Sequence, residues 1–168
     1  MMAAKKRGTR GAPAWRKIVA KAIDWEEGHA SLDAAARGLS PALRGRRPDG
    51  APHSAWELLD HIRRTQADLV DFMTSKSYVA PSWPVDYWPP PREEPSASAW
   101  TRCLAQIHAD REKMKRIATR GSLDLTATIP WGDGQTYLRC ILLAIDHTSY
   151  HVGQLVIVRR LLGAWKAS

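Results

Sequence analysis

Apolar residues recur at every third or fourth position in four long segments of the chain, which is the spacing of one face of an α-helix. In the first segment this spacing continues from Trp15 to Ala36. The last segment, from Leu138 to Leu161, is the most apolar of the four. The sequence therefore predicts four amphipathic helices. They cover residues 13–37 and 54–73, a third segment that begins at residue 96 or 98 and ends at 120, and a fourth that begins at 135 or 136 and ends at 162.

Residues with strong preferences for helix ends support these boundaries. Pro13 suits the first turn of a helix, and Gly38 suits the position that follows a last turn. Ser54 and Glu57 have the spacing of a capping box, in which each side chain accepts a hydrogen bond from a free N–H group. The second helix is therefore expected to begin at Ser54.

The segments between the helices differ in composition. Residues 74–95 contain six prolines, and Trp83 and Trp88 lie among them. Proline disrupts a helix interior, so we predict a long, ordered Pro/Trp-rich crossover between the second and third helices. Weak alternation over residues 122–134 predicts a short hairpin before the fourth helix. The predicted fold is an all-α four-helix bundle.

Composition and charge indicate one globular domain with a basic extension. Of the 168 residues, 44% are hydrophobic and 25% are charged, and we assign residues 13–168 to a single domain. The net charge is +8, and residues 1–50 carry 11 Lys and Arg against 5 Asp and Glu. We predict a flexible basic tail at residues 1–12. It could attract nucleic acid, but the absence of a nucleic-acid-binding motif favours a solvated tail.

Several classes of protein are disfavoured by what the sequence lacks. Cys103 and Cys140 are too few for a disulfide framework, and no apolar run approaches about 18 residues. We therefore expect a cytoplasmic protein without a membrane span. The motifs HExxH and GxSxG are absent, and the single Glu-x-x-His at Glu26 argues against a di-iron bundle.

Three of the six histidines occupy positions that suit a metal site. His147 and His151 are four residues apart, so both imidazoles lie on one face of the fourth helix. His61 lies on the apolar face of the second helix, where a buried polar group must be satisfied. Spacing alone leaves two interpretations open, namely one metal ion held by all three or three separately hydrogen-bonded histidines. His53 and His108 are expected at the surface.

Two stretches of the chain resemble the DinB-like (YfiT-like, damage-inducible) family of metal-binding four-helix bundles. They are PHSAWELLDHI at residues 52–62 and DHTSYHVGQL at residues 146–155, and the Trp/Pro-rich loop and the RRLLGAW segment at residues 159–165 also fit. The resemblance implies that His61, His147 and His151 hold one divalent metal ion. Zinc, nickel and iron all suit imidazole ligands. The resemblance also favours a homodimer.

The same resemblance implies a function. Relatives of this fold include thiol-dependent S-transferases and a mycothiol-dependent maleylpyruvate isomerase, so we expect a metal-dependent enzyme that binds a low-molecular-weight thiol and a small-molecule substrate. A metal-dependent hydrolase is the alternative reaction type. A thiol on a metal is deprotonated, which makes it a nucleophile. The residues expected around the metal are Gln154, Tyr150, Thr65, Trp83 and Trp88, with Asp60 and Asp146 as further candidates and Arg159 or Arg160 as a site for an anionic group.

The sequence is also compatible with two alternative functions. The first is a metal-binding stress-response protein that has no catalytic turnover, because three protein ligands do not by themselves require a reaction. The second, less favoured, is a nucleic-acid-associated protein that uses the basic tail at residues 1–12. Fold alone does not decide between an enzyme and a binding protein.

Overall fold

The computed structural model describes residues 13–165, so the predicted basic tail at residues 1–12 lies outside the described residues. The described chain is helical, with one 3-10 turn and no β-strand within that range. These helices confirm the predicted all-α class. They are α1 (Ala14–Ala22), α2 (Leu32–Ala36), α3 (Pro41–Arg44), α4 (Ala55–Thr74), α5 (Ala97–Thr119) and α6 (Tyr137–Leu161).

The second, third and fourth predicted helices correspond to α4, α5 and α6, and local capping sets their ends. The capping box is present, since Ser54 Oγ accepts from the Glu57 N–H and the Glu57 carboxylate accepts from the Ser54 N–H. Ser96 and Thr136 cap α5 and α6 through their side chains. After α6, Gly163 has a φ of 66°, a left-handed conformation that glycine adopts without strain.

The first predicted helix is wrong as a continuous element, because the chain leaves the helix after α1 and starts another at α2. Trp25 and His29 carry the apolar spacing across the break, yet both side chains are exposed. Neither side chain is therefore buried in a way that would hold this stretch in a helix, and Gly28 weakens the helix further. Ser31 begins α2, since its Oγ accepts a hydrogen bond from the N–H of Ala34 at 3.1 Å.

The hairpin predicted before α6 is reduced to one antiparallel bridge, between Thr128 and Thr136. Leu125 and Ile129 are buried in the core, as the apolar alternation required. Ala127 would share their face in a strand, but it is exposed. The segment is therefore a loop that inserts two apolar side chains and does not form a paired ribbon.

The central helix α4 packs against both α5 and α6, in opposite relative directions. Trp56 near the start of α4 lies against Trp100 near the start of α5, with ring centroids 6.4 Å apart, so these helices run parallel. Leu58 at the start of α4 shares a cluster with Leu155 near the end of α6, so these helices run antiparallel. The crossover, residues 75–96, must return along α4, whose 20 residues span roughly 30 Å.

A polar layer separates two apolar clusters in the interior. One cluster joins α2, the start of α4, α5 and the end of α6, and the other joins the end of α4, the end of α5 and the start of α6. Between them lie four buried polar residues of α4 and α6, with Gln66 donating to the hydroxyl of Thr148 at 3.0 Å. Four buried polar residues, His61, Gln66, Thr148 and His151, therefore lie where α4 packs against α6.

Among the described helices, α6 is the one that is long and apolar enough to cross a membrane by length and composition. A core helix of a soluble protein passes the same criterion, so this is weak evidence for a span. Nine residues of α6 are buried against the rest of the bundle. We therefore interpret α6 as a wall of the bundle.

Arg159 is buried near the end of α6 and ties this helix to α2. Its guanidinium donates hydrogen bonds to the carbonyl oxygens of Ala35 at 2.6 Å, Arg37 at 2.8 Å and Ala164 at 2.8 Å. Carbonyls at the end of a helix lack N–H partners within it, so this side chain satisfies groups that would otherwise be unpaired. Arg159 is thus structural and does not face an anionic ligand, whereas Arg160 is exposed.

Replacing Arg159 with lysine should lower the free energy of unfolding by about 2 kcal/mol, because one ammonium cannot reach every carbonyl that the planar guanidinium serves. Arg160→Lys, at the exposed neighbouring position, should change it by less than about 0.5 kcal/mol. Urea unfolding of both variants measures the difference. Equal stabilities for the two variants would contradict the structural role of Arg159.

Candidate metal centre

Three histidine side chains meet where α4 packs against α6. His61 comes from α4, and His147 and His151 lie one turn apart on α6. The ring centroids of His61 are 4.8 Å and 4.7 Å from those of His147 and His151, which are themselves 4.4 Å apart. Each residue offers one ring nitrogen, and these nitrogens all lie within 4.8 Å of one another.

The backbone of the crossover sets the tautomer of His61. Its Nδ1 lies 2.7 Å from the carbonyl oxygen of Tyr87, and a carbonyl only accepts, so Nδ1 carries the proton. Burial lowers the pKa of His61 to about 4, which leaves the ring neutral at neutral pH. Its Nε2 is therefore unprotonated and carries a lone pair, and the Nε2 atom of His147 is 3.0 Å away.

Gln154 and Tyr150, both expected near the site, lie beside His151. Nδ1 of His151 is 2.6 Å from Oε1 of Gln154, so it donates there and leaves Nε2 unprotonated. The amide nitrogen of Gln154 donates to the hydroxyl of Tyr150 at 3.2 Å, which fixes the orientation of the glutamine. Burial lowers the pKa of His151 as well, so this ring is also neutral.

His147 contains a ring nitrogen with no partner. Its Nδ1 is buried and makes no hydrogen bond within the described structure, and burial lowers the pKa of the ring to about 3. Neutral imidazoles that face one another present lone pairs without enough donors, and a divalent cation accepts such lone pairs. The three residues therefore fit a metal ion, and together they can hold one.

Comparison with known protein families shows which family contains these three histidines. A family model described as the DinB superfamily matches residues 24–155, which is more than half of the chain and includes all three histidines. The chain belongs to the DinB superfamily. No curated protein and no solved structure matches it significantly. The family resemblance seen in the sequence is thus confirmed, while superfamily membership leaves the reaction undefined.

In this DinB-superfamily protein, Trp88 of the crossover covers His61. The indole and the imidazole are parallel, with ring centroids 3.8 Å apart and planes 3° apart. His53 stacks on Trp88 at 4.1 Å, and it must use the other face, because two rings this close cannot share one. The expectation that His53 lies at the surface is wrong, since it is half-buried beside Trp88. Helical spacing could not predict this position, because His53 lies before the start of α4.

Two other residues expected near the metal have different surroundings. Trp83 is 70% exposed and packs against the ring of Tyr87, with centroids 5.3 Å apart, so it does not reach the histidines. Thr65 lies one turn after His61 on α4, and its hydroxyl is buried without a hydrogen-bond partner in the described chain. Of the two tryptophans proposed as walls of the pocket, Trp88 alone contacts the site.

The two acidic candidates are engaged elsewhere. The carboxylate of Asp60 accepts hydrogen bonds from Nε of Arg63 and Nε of Arg64, both at 2.6 Å. Asp146 is exposed on α6. Among the described residues, the group that can hold the metal consists of the three histidines without a carboxylate. The candidate ligand set is therefore neutral.

Protein loaded with zinc should contain about one metal ion per chain, and His147→Ala should contain almost none, because three ligands are the minimum for such a site. His108→Ala is a matched control, since His108 is an exposed histidine that pairs with Asp33 at 2.7 Å. Elemental analysis after dialysis provides the measurement. Unchanged metal content in His147→Ala would remove the site assignment.

Proposed function

We propose that this DinB-superfamily protein binds one divalent transition metal ion through His61, His147 and His151 and transfers a low-molecular-weight thiol to a small-molecule electrophile. The observation that carries the proposal is the cluster of three neutral imidazoles that lacks a carboxylate or cysteine among the described residues. Three protein ligands leave coordination positions free for exogenous ligands, as in catalytic metal sites. Zinc, nickel and iron are the candidate metals.

The charge of the site favours an anionic ligand such as a thiolate. Three neutral imidazoles leave the charge of a divalent cation uncompensated, and the nearby carboxylate of Asp60 is already paired with two arginines. When bound, the metal ion supplies the electrostatic stabilisation that lowers the pKa of a ligated thiol and makes it a nucleophile near neutral pH. A ligand set rich in carboxylates would oppose this effect.

The surrounding residues orient the ligands and limit the access of water. The carbonyl of Tyr87 and the amide of Gln154 hold the Nδ1 protons of His61 and His151, so the Nε2 atoms remain free for the metal. Trp88 shields one face of His61. Tyr150 is 64% exposed beside His151, and its hydroxyl accepts from Gln154, so its own proton is available to a ligand that enters there.

The proposed reaction is a nucleophilic substitution that needs no redox partner. The thiolate sulfur forms a bond to an electrophilic carbon of the substrate, and the leaving group departs with its electron pair. The proton of the thiol passes to solvent. The protein contributes the orientation of the two reactants and the stabilisation of the anionic sulfur.

Cobalt(II)-substituted protein tests this proposal directly. Addition of mycothiol or cysteine should produce a sulfur-to-cobalt charge-transfer band, because the thiolate enters an open coordination position. An activated aryl chloride should then be consumed together with the thiol. His147→Ala should lose both signals, and His108→Ala should keep both.

Two results would contradict the transferase proposal. One is bound cobalt whose spectrum responds to no thiol, which would mean that the open positions take a different ligand. The other is a charge-transfer band without consumption of any electrophile across a panel of leaving groups. The second result would favour the alternative of a metal-binding protein without turnover.

A further inference from the structure

The crossover passes beside His61 on its way back along α4. Its only described helical turn, Val85–Tyr87, is a 3-10 turn, and the next residue is Trp88. At this point the crossover makes two contacts with His61: the carbonyl of Tyr87 accepts the Nδ1 proton, and Trp88 stacks on the ring. The position of Tyr87 therefore determines how His61 is held.

A single carboxylate ties two tyrosines of the crossover to α4. Asp68, two turns after His61, accepts the Tyr78 hydroxyl at one oxygen and the Tyr87 hydroxyl at the other, both at 2.8 Å. Residues seven apart share a face of a helix, so this tether lies on the face that carries His61. Burial and the bond to Asp68 raise the pKa of both tyrosines, that of Tyr87 to about 12, so both hydroxyls donate at neutral pH.

A second contact from α4 holds the same turn. Nη1 of Arg64 donates to the carbonyl oxygen of Asp86 at 3.1 Å, while Nε of Arg64 remains on Asp60. The carboxylate of Asp86 accepts from the N–H of Ser82 at 2.8 Å, which closes the turn on itself. The peptide that carries the Tyr87 carbonyl is thus preceded by an anchored peptide and followed by a stacked indole.

We propose that Tyr87 is a positioning residue of the metal centre: its hydroxyl on Asp68 fixes its own carbonyl, which holds His61 in the tautomer whose Nε2 faces His147 and His151. A neutral imidazole has two tautomers, and the hydrogen bond made by one nitrogen selects which nitrogen is free to bind a metal. The effect that we expect on metal affinity rests on the proposed function, because it requires the metal site. The effect that we expect on the tautomer of His61 can be measured in metal-free protein.

The chain supplies a matched control in Tyr78. Tyr87→Phe and Tyr78→Phe each remove one hydroxyl from the same carboxylate, at the same hydrogen-bond length. Tyr78 packs against Phe72, with ring centroids 5.0 Å apart, and its described contacts do not include His61. A purely structural role for these hydroxyls predicts similar effects of the two substitutions, whereas a positioning role predicts an effect of Tyr87→Phe on His61.

Nitrogen-15 NMR of the metal-free protein should show His61 protonated at Nδ1 in the wild type and in Tyr78→Phe. Tyr87→Phe should show a second population protonated at Nε2. Titration with cobalt(II) should give affinity that is lower by about 10–100-fold in Tyr87→Phe and by less than about 3-fold in Tyr78→Phe, the range expected for an outer hydrogen bond to a metal ligand.

Equal cobalt affinities for the two tyrosine variants would overturn the inference, as would an unchanged His61 tautomer in Tyr87→Phe. Failure of the wild type to bind cobalt at all would instead overturn the proposed function. In that case the comparison of tautomers in metal-free protein still decides whether Tyr87 controls His61. The two proposals therefore fail in different measurements.

Discussion

The arrangement of the bundle depends on the polar layer buried between α4 and α6. Polar groups removed from water destabilise a fold unless they find partners. In this layer Gln66 donates to the hydroxyl of Thr148, and the three histidines bring ring nitrogens within 4.8 Å of one another, where a metal ion can join them. Apolar side chains tolerate some rearrangement, but a shift of one helical turn would leave these polar groups unpaired in the core. The polar layer therefore fixes the register of the two helices, and this register brings the three histidines together.

The parallel order of α4 and α5 has an equally direct consequence. A short loop can join antiparallel helices, but parallel neighbours need a segment that travels the length of the bundle. In this protein that segment places Tyr87 and Trp88 over His61. The site thus combines side chains placed by helix register with a backbone carbonyl and an indole from the crossover, whose turn is held by Asp68 at Tyr87 and by Arg64 at Asp86. Topology, as well as the choice of ligands, shapes the candidate metal centre.

The parts of the fold and of the site that could be predicted are those marked by residues close together in the sequence. Capping at Ser54 and apolar spacing define α4, and a separation of four residues places His147 and His151 on one helical face. No local signal shows which helices pack together. The assignment of His61 to the same site therefore depends on its position on the apolar face of α4 and on the family resemblance. The break after α1 was missed because Trp25 continues the apolar spacing although its side chain is exposed.

The remaining part of the site could not be predicted, because its groups have no distinctive residue type. Every residue carries a carbonyl, so nothing in the sequence marks that of Tyr87 as the partner of His61. Trp83 and Trp88 have similar Pro-rich surroundings, yet only the second stacks on the histidine. Three histidines at suitable spacing therefore specify which side chains can bind a metal, while the crossover specifies which nitrogen of His61 is free to do so. A crossover that offered no acceptor to Nδ1 of His61 should thus lower metal affinity even with the same three histidines, because part of the population would carry the proton on Nε2.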